Sequence, residues 1–180
     1  MREKINPDEF EFEERPIDIN RVMRVRKGGR TPSFNALSAV GDRAGVVGLG
    51  FGSANDIPAA IGKSIADAKK NLIRIPLSGN TIPHEIISKC GSAKIMLKPA
   101  HPGTGIIAGL ATRVIMEFAG VQDVLTKRLG SRNIKNTAEA TMQALRSLKD
   151  INEVARLRGK TVEELLSRFP AGSSFGAPLL

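Results

Sequence analysis

The eight residues GVVGLGFG at 45–52 constrain this chain more than any others. The run has the spacing of a strand, yet Gly45, Gly48, Gly50 and Gly52 leave it almost without side chains. Glycine inside a strand marks a bulge or the close approach of another backbone. Two such backbones fit the sequence. One is a helix of the same chain laid flat on the strand; the other is the backbone of a bound nucleic acid, which would put Gly50 and Gly52 in the contact. A helix does follow at once. Asp56 stands at its cap, Pro58 suits its first turn, and Ile57, Ile61, Ile65, Ala68 and Leu72 recur at helical spacing. Lys63, Lys69, Lys70 and Arg74 supply positive charge around it.

Two further strands precede the glycine run, over residues 17–26 and 33–42. In the first, Ile17, Ile19, Met23 and Val25 fall on one face, with Asp18, Asn20, Arg24 and Arg26 on the other. Arg21 and Val22 break that alternation, so a bulge is expected there. The loop between the strands is Lys27-Gly28-Gly29-Arg30. With a short strand at 73–77 after the helix, the first half reads β-β-β-α-β. Ser78-Gly79-Asn80 is a turn, and the boundary between two domains is expected near residues 82 and 83.

The second half begins with short strands at 85–88 and 93–98. The loop PAHPGTG then leads to a helix over about 106–119, with Gly120 suited to its end. A strand over 121–129 and a helix capped by Asn136 or Thr137 and running to Leu148 follow. Two short helices close the pattern, at about 151–157 and 161–168, the second with the capping box Thr161-Val162-Glu163-Glu164. Residues 1–16 are acidic and read as a flexible leader. Residues 169–180 are small and uncharged and read as a disordered tail.

Charge sets the first functional expectation. The chain carries 27 Lys+Arg against 18 Asp+Glu, a net +9. Residues 1–16 alone are acidic, so the body is more basic still. A body of this kind favours a polyanion, because Lys and Arg release counterions condensed on phosphates. Aromatics are only 4% of residues, so the core is aliphatic. Cys90 has no partner for a disulfide, and two histidines, His84 and His101, make no zinc cluster. No signal peptide and no membrane span are expected, which places the chain in a reducing, cytosol-type compartment.

Three motifs carry candidate sites. Arg21, Arg24, Arg26, Lys27 and Arg30 lie between Ile19 and Gly41 with no acid among them, and Gly28 and Gly29 let the backbone bend sharply towards a phosphate. The alternative is an edge strand kept soluble by cations. Gly103-Thr104-Gly105-Ile106-Ile107-Ala108 matches G-x-G-x-x-A, the dinucleotide fingerprint, with Asp123 about 20 residues on. Pro99, His101 and Pro102 stand where that fingerprint needs a tight turn, and Asp123 falls at the start of the next strand; both count against a nucleotide. Residues 127–135 hold Lys127, Arg128, Arg132 and Lys135 around Gly130, either as a solvated loop or as a contact. No carboxylate pair or nucleophile–histidine set points to catalysis.

Several of these stretches in order resemble the bacterial small-subunit ribosomal protein five family: VRKGGR (25–30), SFNALSAVGD (33–42), GVVGLGFG (45–52), IPAAIGKSIADAKKNL (57–72), GTGIIAGLATRVIMEFAGVQDVL (103–125) and TVEELL (161–166). The similarity spans roughly residues 17–166. It implies an α+β fold: a double-stranded-RNA-binding-like domain of three strands plus a helix over 17–82, then a small two-layer α/β domain over 83–168, of the type that forms this family's second domain. It implies a non-enzymatic constituent of the small ribosomal subunit, without cofactor, metal or small-molecule substrate. The implied partners are small-subunit ribosomal RNA, ribosomal proteins four and eight, and messenger RNA at the entry channel, with a role in translational accuracy near the decoding region. On this resemblance Arg21, Arg24, Arg26, Lys27, Gly28, Gly29, Arg30, Gly50 and Gly52 contact RNA. Lys127, Arg128 and Arg132 contact RNA or protein eight. Gly103, Thr104, Gly105, Thr112 and Arg113 face protein four. Ser53 and Asp56 depart from the family's usual Lys and Glu, which weakens a phosphate contact at 53 and leaves Asp56 as a cap. A free-standing regulator of double-stranded RNA and a nucleotide-using enzyme are the rival expectations.

Overall fold

What lies on the glycine strand decides between its two explanations. In the computed structural model, which describes residues 10–166, strand β3 (Val46–Ala54) runs beneath helix α1 (Ile57–Lys70). A Cβ at Gly48, Gly50 or Gly52 would overlap the backbone carbonyl oxygens of Ala68, Ser64 and Ala60 respectively. The helix meets the glycines with small residues of its own: Ala60, Ser64 and Ala68 are its buried positions. Ser64 Oγ lies 2.6 Å from Ser38 Oγ on the neighbouring strand. Ile57 is exposed, and Ile61 and Ile65 are half-buried. The expected isoleucine stripe therefore flanks the contact, because two backbones this close leave room only for small side chains. Asp56 occupies the N-cap position, but its side chain makes no capping hydrogen bond.

Strands β1 (Glu13–Arg26), β2 (Gly29–Gly41), β3 and β4 (Ile73–Arg74) form one antiparallel sheet in that order. The first strand begins at Glu13, inside the stretch expected to be a loose leader. Ion pairs tie its start to three places: Glu13 to Arg43 at 2.7 Å, Glu14 to Lys69 at 2.8 Å, and Arg15 to Glu117 at 3.1 Å. All are partly exposed, so each is worth about 0–1 kcal/mol. The bulge falls at Ile17, where the register shifts between Pro16 and Asp18, rather than at Arg21–Val22. Ile17 is the buried residue of this strand, and the extra residue turns it into the core. Residues 1–9 and 167–180, which hold most of the leader and the whole tail, lie outside the described residues.

The second sheet contains β5 (Ile86–Cys90), β6 (Ala93–Pro99), β7 (Ile106–Ile107) and β8 (Val124–Arg128), in the order β5-β6-β8-β7. Helix α2 (Leu110–Phe118) links the parallel pair β7 and β8, and α3 (Ile134–Arg146), α4 (Ile151–Arg158) and α5 (Val162–Leu166) complete the chain. The helix expected from residue 106 starts at 110, because Ile106 and Ile107 pair with Val124 and Leu125 instead. Asn133 caps α3, accepting the Asn136 N–H at 3.2 Å, three residues before the expected cap. Thr161 caps α5 as expected: its Oγ1 accepts the Glu164 N–H at 3.3 Å.

The fold is α+β, an antiparallel sheet with a helix followed by a second α/β unit. One apolar cluster runs through both halves. Leu37, Ala39 and Val47 of the first sheet, Ile115 and Phe118 of α2, Leu145 of α3, and Ile95, Leu97 and Val124 of the second sheet all belong to it. Helix α2 packs on β1 and β2, α3 packs on β5 and β6, and the two helices pack on each other. Gly41 lies against the backbone of Phe118, whose carbonyl accepts the Arg43 N–H at 3.0 Å. His84, just before β5, holds the segment between α3 and α4: its Nε2 accepts the Lys149 N–H at 3.1 Å.

Replacing Gly50 by alanine should drive a methyl group into the backbone of α1. A cost of about 3 kcal/mol or more is expected in denaturant unfolding, because rigid backbone has to move. Gly62→Ala, on open surface of the same helix, should be neutral or slightly stabilising.

Candidate nucleic-acid interface

The two first strands are longer than the sheet they belong to. β3 pairs with β2 only from Phe34 to Gly41. Beyond that point residues 22–33 continue as a two-stranded arm, roughly 16 Å long at the usual rise per residue. The strands stay paired to the tip, with Arg26 opposite Gly29 and a two-residue turn at Lys27-Gly28. The positive φ falls on the residue after the turn, Gly29 at 127°. A glycine following a tight turn in this way is a common hairpin solution. Neither Gly28 nor Gly29 has another atom near the place of a Cβ, so the tip is open on all sides.

The arm holds four of the five cations expected there, and the fifth, Arg21, stands at its root opposite Phe34. Arg21, Arg24, Arg26, Lys27 and Arg30 are exposed. Among the described residues none of them has a carboxylate within ion-pair distance. Pairing puts them on both faces. Arg21 and Arg30 lie on the face of Met23 and Val25, while Arg24 and Arg26 lie on the other with Val22. Met23 and Val25, which share the face of Ile17 and Ile19 in the sequence pattern, are 49% and 75% exposed, because no third strand or helix reaches them. Such an arm can wrap a phosphate ridge and present guanidinium groups to both sides of it.

The other candidate residues are scattered. Gly50 and Gly52 are buried under α1, so the flat glycine strand is a packing surface and offers no room to RNA. Thr112 is also inside: it is 2% exposed, and its Oγ1 lies 3.2 Å from Thr141 Oγ1 on α3. It cannot face a partner protein, because the α2–α3 contact uses its hydroxyl. Arg113, one position on, is exposed and donates to the Ile106 carbonyl at 3.4 Å. Gly103 and Thr104 are exposed, and Gly105 is half-buried, on a loop with positive φ at both glycines.

That loop also bears on the nucleotide fingerprint. The glycines precede β7 rather than a helix, since α2 begins only at Leu110. Asp123 is 5% exposed, and its carboxylate accepts the Gly105 N–H at 2.8 Å. It pins the loop and is not available to a ribose. Lys127 and Arg128 alternate to opposite faces of β8, and Arg132 stands exposed on the loop beyond. Gly130 is required there by the backbone of Ser92, against which a Cβ would collide. Lys135 sits over the Phe51 ring at 4.0 Å, a cation–π contact that joins α3 to β3. The sequence showed the cation but not the ring it covers.

An open cleft between the sheets is lined by Leu37, Leu49, Phe51, Asp67, Cys90, Glu139 and Arg146, among others. Cys90 Sγ donates to Glu139 Oε2 at 3.3 Å. Burial, then the hydrogen bond and charge of Glu139, push the thiol above its ordinary pKa. That keeps it a poor nucleophile. Among the described residues no group of three His, Cys, Asp or Glu side chains could hold a metal ion. No helix among them is long and apolar enough to cross a membrane.

Comparison with known proteins bears on most of the chain. Residues 12–76 match the family model "Ribosomal protein S5, N-terminal domain", and residues 88–158 match "Ribosomal protein S5, C-terminal domain". A relative from Fusobacterium nucleatum named small ribosomal subunit protein uS5 is 50% identical over 163 residues, covering 91% of this chain and 99% of that protein. The protein of that name from Thermotoga neapolitana is 52% identical over 155 residues, 86% of this chain and 87% of its own. That from Chloroflexus aurantiacus is 48% identical over 167 residues, 93% and 94% of the two chains.

The geometry of the tip separates two glycines that look alike in sequence. Gly28→Asp should leave unfolding free energy within about 0.5 kcal/mol of the parent, because the site is open and its φ is not positive. Gly29→Ala should cost about 1 kcal/mol or more, from its left-handed backbone. Thermal and urea unfolding of the two variants side by side checks both.

Proposed function

The chain belongs to the ribosomal protein S5 family, and from that membership we propose that it is a structural constituent of the small ribosomal subunit that grips small-subunit ribosomal RNA with the cationic arm at residues 22–33 and its flanking Arg21. The family is structural and not enzymatic. The observation that carries the proposal is the arm itself: four cations, with Arg21 at its root, that have no carboxylate partner among the described residues, on a hairpin that runs past its sheet into solvent. A free protein gains nothing from that arrangement, since the cations repel one another and the aliphatic residues stay wet. Both costs are relieved against a phosphate-lined surface.

Shape and phosphate contacts, rather than a base code, suit this arm. A-form RNA hides its base edges in a deep, narrow major groove. The arm has no aromatic side chain to stack on an extruded base; the nearest, Phe34, lies at its root. The finer assignments rest on family resemblance. They place the turn Lys27-Gly28-Gly29 near the decoding region and the messenger entry channel, where it influences translational accuracy and touches messenger RNA. They assign Gly103, Thr104, Gly105 and Arg113 to ribosomal protein four, and Lys127, Arg128 and Arg132 to RNA or ribosomal protein eight. A domain boundary near residues 82–83 belongs to the same proposal.

Phosphate pairing makes a quantitative demand. The logarithm of the binding constant for small-subunit RNA should fall linearly with the logarithm of salt concentration, by about 0.9 per phosphate neutralised. Removing Arg24, Arg26 and Arg30 together should lower that slope by about 2–3. A filter-binding salt titration of the parent and the triple alanine variant measures the difference. An unchanged slope would place the phosphate contacts elsewhere on the protein.

A further inference from the structure

The arm at residues 22–33 has two unlike faces. Residues paired across its strands share a face, and successive residues alternate between faces. Met23 is opposite Pro32, Val25 is opposite Arg30, and Arg21 is opposite Phe34 at the root. Met23, Pro32 and Val25 thus form an aliphatic strip down one face, with an arginine at each end, Arg21 and Arg30. On the other face Arg24 is opposite Thr31, Val22 is opposite Ser33, and Arg26 is opposite Gly29. That face presents guanidinium and hydroxyl donors. Both faces are open: Pro32 is exposed like Met23 and Val25 on one, and Arg24, Arg26 and Thr31 are exposed on the other.

Residues 21–34 contain no acidic side chain, so both sides of a ribbon one backbone thick carry positive potential. An RNA segment lying along the arm covers one face and leaves the other in water. We propose that the arm enters a crevice between two segments of folded RNA. Phosphates of one segment meet Arg24 and Arg26. The ribose edge of the other packs on Met23, Val25 and Pro32, and Arg21 and Arg30 hold its flanking phosphates. A sugar–phosphate backbone supplies both chemistries of the strip, because apolar ribose C–H groups alternate with phosphates along it. In A-form RNA the ribose edges line a wide, shallow minor groove, which admits a flat strip where the deep, narrow major groove would not. A protein on this face would have to bring an aliphatic patch with a carboxylate at each end, pressed against a ribbon whose other side holds RNA. The tip suits entry: neither Gly28 nor Gly29 has a side chain, and nothing lies near the place of one. The ligand so recognised is a junction, where two backbones converge, rather than an isolated duplex.

This inference rests on the arm being an RNA contact, and its test separates the two. Two full-length double variants are compared with the parent. Met23→Thr with Val25→Thr removes the aliphatic strip and keeps strand-forming residues; Arg24→Ala with Arg26→Ala removes two cations of the opposite face. All four side chains are exposed, so folding should be kept, which far-UV circular dichroism verifies. The threonine pair should bind small-subunit ribosomal RNA about tenfold more weakly with the salt slope of the parent, because apolar contact is lost and no phosphate contact is. The alanine pair should lower the slope by about 2. On an isolated RNA duplex, which offers a single surface, the threonine pair should bind within about twofold of the parent. In reconstituted small subunits, a photo-crosslinking residue in place of Met23, and separately of Arg24, should join the chain to nucleotides of two different RNA segments. Crosslinks from both positions to one segment, or from position 23 to a protein, would overturn the inference. So would an equal loss on the duplex, or parent-like affinity of the threonine pair beside a lowered slope in the alanine pair; either outcome keeps the arm as an RNA contact. Parent-like affinity and slope in both variants would remove the arm from the RNA interface, and the functional reading with it.

Discussion

The contact between the backbone of β3 and the backbone of α1 is the constraint on which the rest of this structure depends. Three glycines on the strand and three small residues on the helix let the two elements touch without side chains between them. The helix is thereby fixed flat on one face of the first sheet. The opposite face, with Leu37, Ala39, Val47 and Leu49, is left to the core it shares with α2, α3 and the second sheet. With both faces of its inner part committed, the sheet has only the overhanging ends of β1 and β2 to offer to a large partner. The arm is exposed because the packing that makes the sheet rigid stops at Phe34.

This division of labour explains why charge and conformation sit where they do. The acids near the start of β1 lie far along the strand from the arm, and they pair with Arg43 and Lys69 rather than with the arm's cations. The arm keeps its full positive charge, and a bound polyanion supplies the counter-charge. Gly29 takes the one backbone conformation at the tip that a side chain would strain, while Gly28 keeps the tip narrow. Glycine thus has two uses in this chain: close packing at 48–52, and freedom of approach at 28–29.

Much of this was legible in the sequence. The β-β-β-α order, the basic hairpin and its glycine turn, and most short elements of the second half follow from periodicity and turn chemistry, whereas β7 read as the first turn of α2. The glycine strand announced a close backbone but not whose it was; the clue was the matching small stripe at Ala60, Ser64 and Ala68, four residues apart. Thr112 could not be placed from sequence, because a threonine on an amphipathic helix reads the same whether its hydroxyl meets water or, as here, Thr141 across a helix pair. Asp123 looked like a ribose ligand by spacing alone, and only the fold shows that it holds Gly105. The exposure of Met23 and Val25 was hidden for a similar reason. An alternating pattern says which residues share a face, but not whether anything covers that face.

Amide hydrogen exchange of the full chain, alone and in complex with small-subunit ribosomal RNA, tests the central claim most directly. In the free protein, amides of residues 22–33 should exchange fast, since the arm is a hairpin without a third strand, while those of β3 and α1 should be the slowest in the first half. Adding RNA should slow exchange chiefly in the arm and leave β3 and α1 unchanged. Protection that appeared on β3 or α1 while the arm went on exchanging as in the free protein would contradict the account.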